Sequence, residues 1–141
     1  MSNLSAFFAE NAIQEEGQKY VASKRFVENG KPVEWELKAI SSELDSKLRK
    51  DYTIKEAVPN KRNQFMQVLD ANGYSAALAV ATTVYPDLQN SKLQDNYGVM
   101  GAEELLKKML KAGEYQNYLS KVQEINGFNE SMDELVEEAK N

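Results

Sequence analysis

From Val33 to Ala39 the chain alternates strictly. Val33, Trp35, Leu37 and Ala39 fall on one side of an extended backbone, and Glu34, Glu36 and Lys38 on the other. Before this stretch lie another candidate strand, 19–26, and Glu28-Asn29-Gly30-Lys31, where Asn-Gly suits the positive φ angles of a tight turn. The pattern predicts a β-hairpin over about 19–40, with Trp35 on its buried face. Ahead of it, Leu4, Phe7 and Phe8 behind Ser2 and Asn3 predict a short helix with one apolar face, too short to hold without docking.

From residue 41 onward the period changes from two to about 3.6. Ser41 or Ser42 caps a helix over about 42–50 with Leu44 and Leu48 on one face. The stretch 53–58 stops at Pro59, and 64–69 fits a strand or a helix equally well. Asp70 caps a segment over about 71–85, apolar nearly all round and ended by Pro86, which predicts a central buried helix. Further helices are expected over about 90–97, closed by Gly98, and over about 101–110. In the latter, Glu103 and Glu104 precede Lys107, Lys108 and Lys111, in keeping with the helix dipole and with pairs from Glu103 to Lys107 and Glu104 to Lys108. After an Ala112-Gly113 break, Tyr115, Tyr118, Leu119, Val122 and Ile125 mark an amphipathic helix over about 114–126, stopped by Asn126-Gly127 with Phe128 folding back. Ser131-Met132-Asp133-Glu134 then has capping-box spacing and opens a stripe of Met132, Leu135, Val136 and Ala139.

The expected fold class is α+β: a mostly helical single domain, residues 1–128, with an N-terminal β-hairpin and a helical C-terminal half, followed by an acidic helix or tail over 129–141. At 141 residues one core is the natural reading. The net charge of −5 is unevenly spread, since 129–141 holds five acids and one Lys. An acidic balance disfavours nucleic acid as a partner, because duplex binding relies on a cation surplus. The most apolar run, 76–85, is half the length needed to cross a bilayer, so no membrane partner is expected. The N-terminus lacks the basic and apolar regions of a secretory signal, which points to the cytoplasm.

Zero Cys and zero His remove thiol nucleophiles, thiolate zinc sites, imidazole ligands and the commonest general base. The acid pairs Glu15/Glu16, Glu103/Glu104 and Glu137/Glu138 point about 100° apart on a helix, so none converges on a substrate by itself. Tyr97-Gly98-Val99-Met100-Gly101 precedes a helix but lacks phosphate-loop spacing, and reads as a helix stop followed by a turn. Lys24-Arg25 and Lys61-Arg62 are short basic dipeptides of a surface kind. No catalytic, metal or cofactor residue is expected, and the chain reads as a non-enzymatic binding protein. Its partner-binding candidates are the stripes Tyr115, Tyr118, Leu119 and Val122, which a core would need equally, and Met132, Leu135 and Val136, divided between packing and partner. A carboxylate-dependent metal enzyme is the rival from another class.

Particular strings take the reading further. Tyr85-Pro86-Asp87-Leu88, the run Leu93-Gln94-Asp95-Asn96-Tyr97-Gly98-Val99-Met100-Gly101-Ala102-Glu103-Glu104-Leu105-Leu106, and Val122-Gln123-Glu124-Ile125-Asn126-Gly127-Phe128 resemble the XkdN-type tail assembly chaperones of PBSX-like prophages and long-tailed phages. So do Ser23-Lys24-Arg25-Phe26 and Gly30-Lys31-Pro32-Val33-Glu34-Trp35. The resemblance covers about 1–128, matches least over 51–69, and finds no signature after Phe128. It implies a protein of the host cytoplasm that binds the tape measure protein, lets tail tube protein subunits polymerise around it, and leaves before the virion is complete. A weak homo-oligomer and a longer product made by ribosomal frameshifting are also in keeping with it. The alternative is a structural tail component retained in the virion, such as a tube or completion protein. The family has no catalytic motif to carry across.

Overall fold

Asn29 and Gly30 adopt φ angles of 54° and 78°, the left-handed pair that a two-residue hairpin turn requires. In the computed structural model, which describes residues 4–128, this turn joins β2 (Val27–Glu28) to β3 (Lys31–Pro32), with Val27 opposite Pro32 and Glu28 opposite Lys31. The pairing does not continue along one long ladder as expected for 19–40. β1 (Gln18–Tyr20) pairs with β4 (Trp35–Leu37), Tyr20 opposite Trp35, and the two halves are out of register. Residues 21–26 leave the sheet between them, while only Val33 and Glu34 separate the strands on the other side. Ala22 and Ser23 use that excursion to enter the core, and Arg25 donates from its guanidinium to the Met109 carbonyl at the end of a later helix.

Ser41 caps α1 (Ser42–Asp51), its hydroxyl accepting from the Leu44 N–H at 3.1 Å. Asp70 does the same for α2 (Ala71–Thr82), accepting from Gly73 N–H. The segment between, undecided at 64–69, is a second hairpin: β5 (Thr53–Ala57) pairs antiparallel with β6 (Phe65–Leu69). α2 is the central helix, with Tyr74, Ala76, Ala77, Leu78, Ala79 and Thr82 buried and α1 and the two helices over 102–109 and 112–125 packed around it. It stops at Thr82, three residues before the expected end. Thr83, Val84 and Tyr85 form strand β7, which completes the order β1-β4-β7. Two β-branched residues and a tyrosine suit a pleated edge, and tertiary pairing with β4 overrides the helical pattern.

α3 (Ser91–Asn96) is capped by Asn90 and closed by Gly98 at φ 68°, so the glycine-containing segment before α4 (Ala102–Met109) is a stop and a turn. The Gln94 side chain fixes that turn, accepting from Gly101 N–H and donating to the Leu88 carbonyl. α5 is Ala112–Ile125, so Ala112 and Gly113 lie inside its first turn; the break falls at Lys111, whose N–H donates to the Glu114 carboxylate at 2.8 Å. Glu103 and Glu104 do not pair with Lys107 and Lys108; Lys107 instead sits over the Tyr115 ring. The N-terminal apolar turn, Leu4–Phe7, is a 3-10 turn with no buried residue, so the expected docking is not made. The result is a mixed α+β fold, with about 44% helix and 18% strand among the described residues. It is less helical than expected, because the second hairpin and β7 extend the sheet content. The acidic segment 129–141 lies outside the described residues.

Trp35 joins sheet and helices. It is 1% exposed, and its ring meets that of Tyr118 on α5 edge-on at 5.3 Å, with Tyr20 and Phe26 alongside. Leu37, Leu78, Leu105, Leu106 and Val122 close the same core.

Candidate partner-binding surface

The stripe on α5 divides between core and surface. Tyr118 and Val122 are fully buried, and burial pushes the Tyr118 phenol above its ordinary pKa. They hold the helix in place, and in this structure neither is open to a partner. Tyr115 and Leu119 are half-buried and line an open groove of about 410 Å³ between α5 and the first turn of α2. Asn72, Ser75, Gln116 and Gln123 give that groove an amide and hydroxyl lining, able to hydrogen-bond a peptide backbone. The other three partner candidates, Met132, Leu135 and Val136, lie outside the described residues.

A larger apolar surface stands elsewhere. β5 and β6 leave α1 and return to α2 through a narrow base, closed by the Asp70 N–H donating to the Tyr52 carbonyl at 2.7 Å. The Thr53 hydroxyl donates to the Arg49 carbonyl at 2.7 Å beside it. Beyond the base the two strands, among the described residues, pair only with each other. The register places Ala57 opposite Phe65 and Thr53 opposite Leu69 on one face, and Ile54 opposite Val68 on the other with Met66 beside them. Every residue of β5 is exposed, as is every residue of β6 except the half-buried Val68. Phe65 is 66% exposed.

A two-stranded ribbon alone is marginally stable in water, and one with large apolar side chains on both faces gains by being covered. Both outer edges also present unpaired backbone groups, the arrangement that accepts a further strand. The turn residues Asn60 and Asn63, at φ 63° and 59°, set the tip around Lys61 and Arg62. Sequence reasoning marked 53–58 and 64–69 without joining them. The available signal was two apolar, β-prone runs either side of Pro59-Asn60 and Asn63, a longer loop than the two-residue turns most easily recognised.

Electrostatics here serve structure. Tyr74 on α2 donates from its phenol to the Asp45 carboxylate, and Arg49 lies over the same ring at 4.6 Å while pairing with Asp45 at 2.9 Å. Burial, reinforced by the bond to Asp45, pushes the Tyr74 phenol up to about 12. Among the described residues no three acids gather closely enough to hold a metal ion, and no helix is long and apolar enough to cross a membrane.

Comparison with known proteins adds the remaining observations. The family model of phage XkdN-like tail assembly chaperones matches residues 4–140, so the match includes the acidic segment beyond Phe128. The phage-like element PBSX protein XkdN of Bacillus subtilis (strain 168) is 36% identical over 141 residues, covering 99% of this chain and 94% of that protein. The uncharacterized protein YqbN of the same strain is also 36% identical over 141 residues, covering 99% and 93%. The crystal structure of YqbN superposes with a TM-score of 0.76 at 33% identity, covering 91% of this chain and 98% of that one.

Proposed function

The chain belongs to the phage XkdN-like tail assembly chaperone family, and from that membership we propose that it binds the tape measure protein in the host cytoplasm, keeps it soluble while tail tube protein subunits polymerise around it, and is released before the virion is complete. The family is one of assembly chaperones and not of enzymes. The single observation that carries the reading is the β5–β6 hairpin, an apolar ribbon held outside the core with its sides and edges open. A chaperone for a long helical chain needs apolar surface that engages and lets go, and a ribbon attached at one narrow base meets that need without exposing the protein's own core. The groove beside Tyr115 and Leu119 provides a second, more polar contact for the same partner. Repeated weak contacts between copies strengthen a coat along such a chain by avidity.

Co-expression with the tape measure chain followed by pull-down tests the proposal. Capture of soluble tape measure protein, with no copy of the chaperone in purified virions, is the expected result. A chain found stoichiometrically in purified particles is instead a structural tail component and overturns the release step; failure to capture the tape measure protein overturns the binding. Sedimentation of the protein, alone and with tape measure fragments, tests self-association.

A further inference from the structure

We propose that the apolar arm 4–16 of one copy of this chain docks in the cationic groove between residues 20–25 and the first turns of α5 of a second copy. Exposure is the first argument. Every residue from 4 to 16 is exposed, and Phe7 and Ile13 are 81% and 94% exposed, with Leu4 and Phe8 open beside them. A four-residue 3-10 turn followed by extended chain is too short to hold its form unaided, so the arm gains by being covered.

Charge selects what covers it. The arm contains Glu10, Glu15 and Glu16 and no cation, a balance of −3, and among the described residues none of the three is in an ion pair. The groove, of about 410 Å³, has Lys24, Arg25 and Lys111 against Glu114, a balance of +2. Arg25 is already engaged, by the Met109 carbonyl and by Glu114 at 3.8 Å. Lys24 and Lys111 pair with no acid among the described residues, so two cations stand ready for the arm's carboxylates. The half-buried Tyr20 and the exposed Val21 in the same lining give an apolar wall for Phe7 or Phe8.

Position assigns the groove to a second copy. Gln18 lies opposite Leu37 and Tyr20 opposite Trp35, so the arm joins β1 at one end and the groove begins at the other. The arm's last residues, Gln14, Glu15 and Glu16, run beside Lys38 and Val84, at the Gln18 end of the strand. Within one chain the arm therefore leaves the sheet at the end away from its own groove. One arm and one groove per copy make the contact heterologous, so copies join head to tail. Neither β5 nor β6 takes part, and the hairpin stays open. That copies joined in this way coat a tape measure chain rests on the reading above; the contact itself does not.

Sedimentation velocity of the full-length protein, with no tape measure chain present, tests the contact. The wild type is expected to self-associate with rising concentration, at least about fivefold more weakly in 0.5 M than in 0.05 M salt. Two variants separate its halves: Phe7→Ser/Phe8→Ser spoils the arm, and Lys24→Glu/Lys111→Glu spoils the groove. All four side chains are exposed, so both variants are expected to keep the wild-type circular dichroism, and each alone is expected to be monomeric. Mixed in equal amounts they retain one sound arm and one sound groove between them, and a 1:1 dimer that grows no further is expected. A monomeric wild type, association insensitive to salt, or a variant that associates as the wild type does would overturn the proposal. So would a mixture that stays monomeric, which is the outcome if the arm serves only its own chain, or one that grows past the dimer.

Discussion

The phenol oxygen of Tyr118 and the hydroxyl oxygen of Thr83 lie 2.5 Å apart, tying the middle of α5 to the first residue of β7. Thr83 in turn donates to the Ala79 carbonyl at 2.7 Å, which leaves its oxygen free to accept from Tyr118. The bond sits where α2 gives way to strand, beneath the Trp35 ring. It satisfies a polar group that would otherwise be buried unpaired, at the junction of sheet and helices.

Alkaline sensitivity follows. Burial raises the phenols of Tyr118 and Tyr74, the latter to about 12, so the folded state holds these protons more tightly than the unfolded chain does. For such groups the stabilisation is complete below the unfolded value near 10 and is lost as pH rises from there toward the folded values. The melting temperature is expected to stay level from neutral pH to about 10 and then fall. Tyr118→Phe is expected to cost about 1 kcal/mol at neutral pH and to flatten the alkaline fall, both read from thermal melts.

Trp35→Ala is expected to cost ~3 to 5 kcal/mol, because a fully buried ring leaves both lost contacts and a cavity. Urea melts measure it. The native protein should show blue-shifted tryptophan emission, and a solvent-like maximum would contradict the burial.

Asn126, just after α5, ties that helix to the end of α2 and to the loop before α1. Its side-chain oxygen accepts from the Ile40 N–H at 2.9 Å, and its amide donates to Thr82 Oγ1 at 3.0 Å and to the Val122 carbonyl at 2.9 Å. Asn126→Ala leaves the Ile40 and Thr82 groups short of partners in a half-buried site, and about 1 to 3 kcal/mol of stability is expected to go. Faster hydrogen exchange at Ile40 is the local signature.

The hairpin variant Phe65→Ser/Met66→Ser removes one exposed apolar side chain from each face. Stability is expected to change by no more than about 0.5 kcal/mol per site, since neither residue is packed in the core. Capture of the tape measure protein is expected to weaken about tenfold, equivalent to about 1.4 kcal/mol, in titration calorimetry or quantitative pull-down. Undiminished capture would move the binding surface to the groove beside Tyr115.

Local chemistry was legible along the chain. Asn29-Gly30 determined its turn, Asp70 its helix cap, the Ser41-Ser42 pair the start of α1, and the alternation around Trp35 which side chains point inward. These depend on interactions within a few residues, so the order of amino acids suffices. The strings shared with XkdN-type proteins likewise carried the family.

What needed the third dimension was every choice between equivalent local options. Thr83 to Tyr85 continue an apolar helical pattern and become a strand because β4 offers backbone partners to the chain arriving there. Tyr118 and Leu119 are neighbours on one stripe, yet only tertiary packing makes the first core and leaves the second at a groove. The two runs around Pro59 become an uncovered ribbon because they pair with each other and with nothing else in the described fold. A residue's periodicity states which face it occupies; whether that face is covered depends on distant elements, and sequence spacing alone contains no such distance.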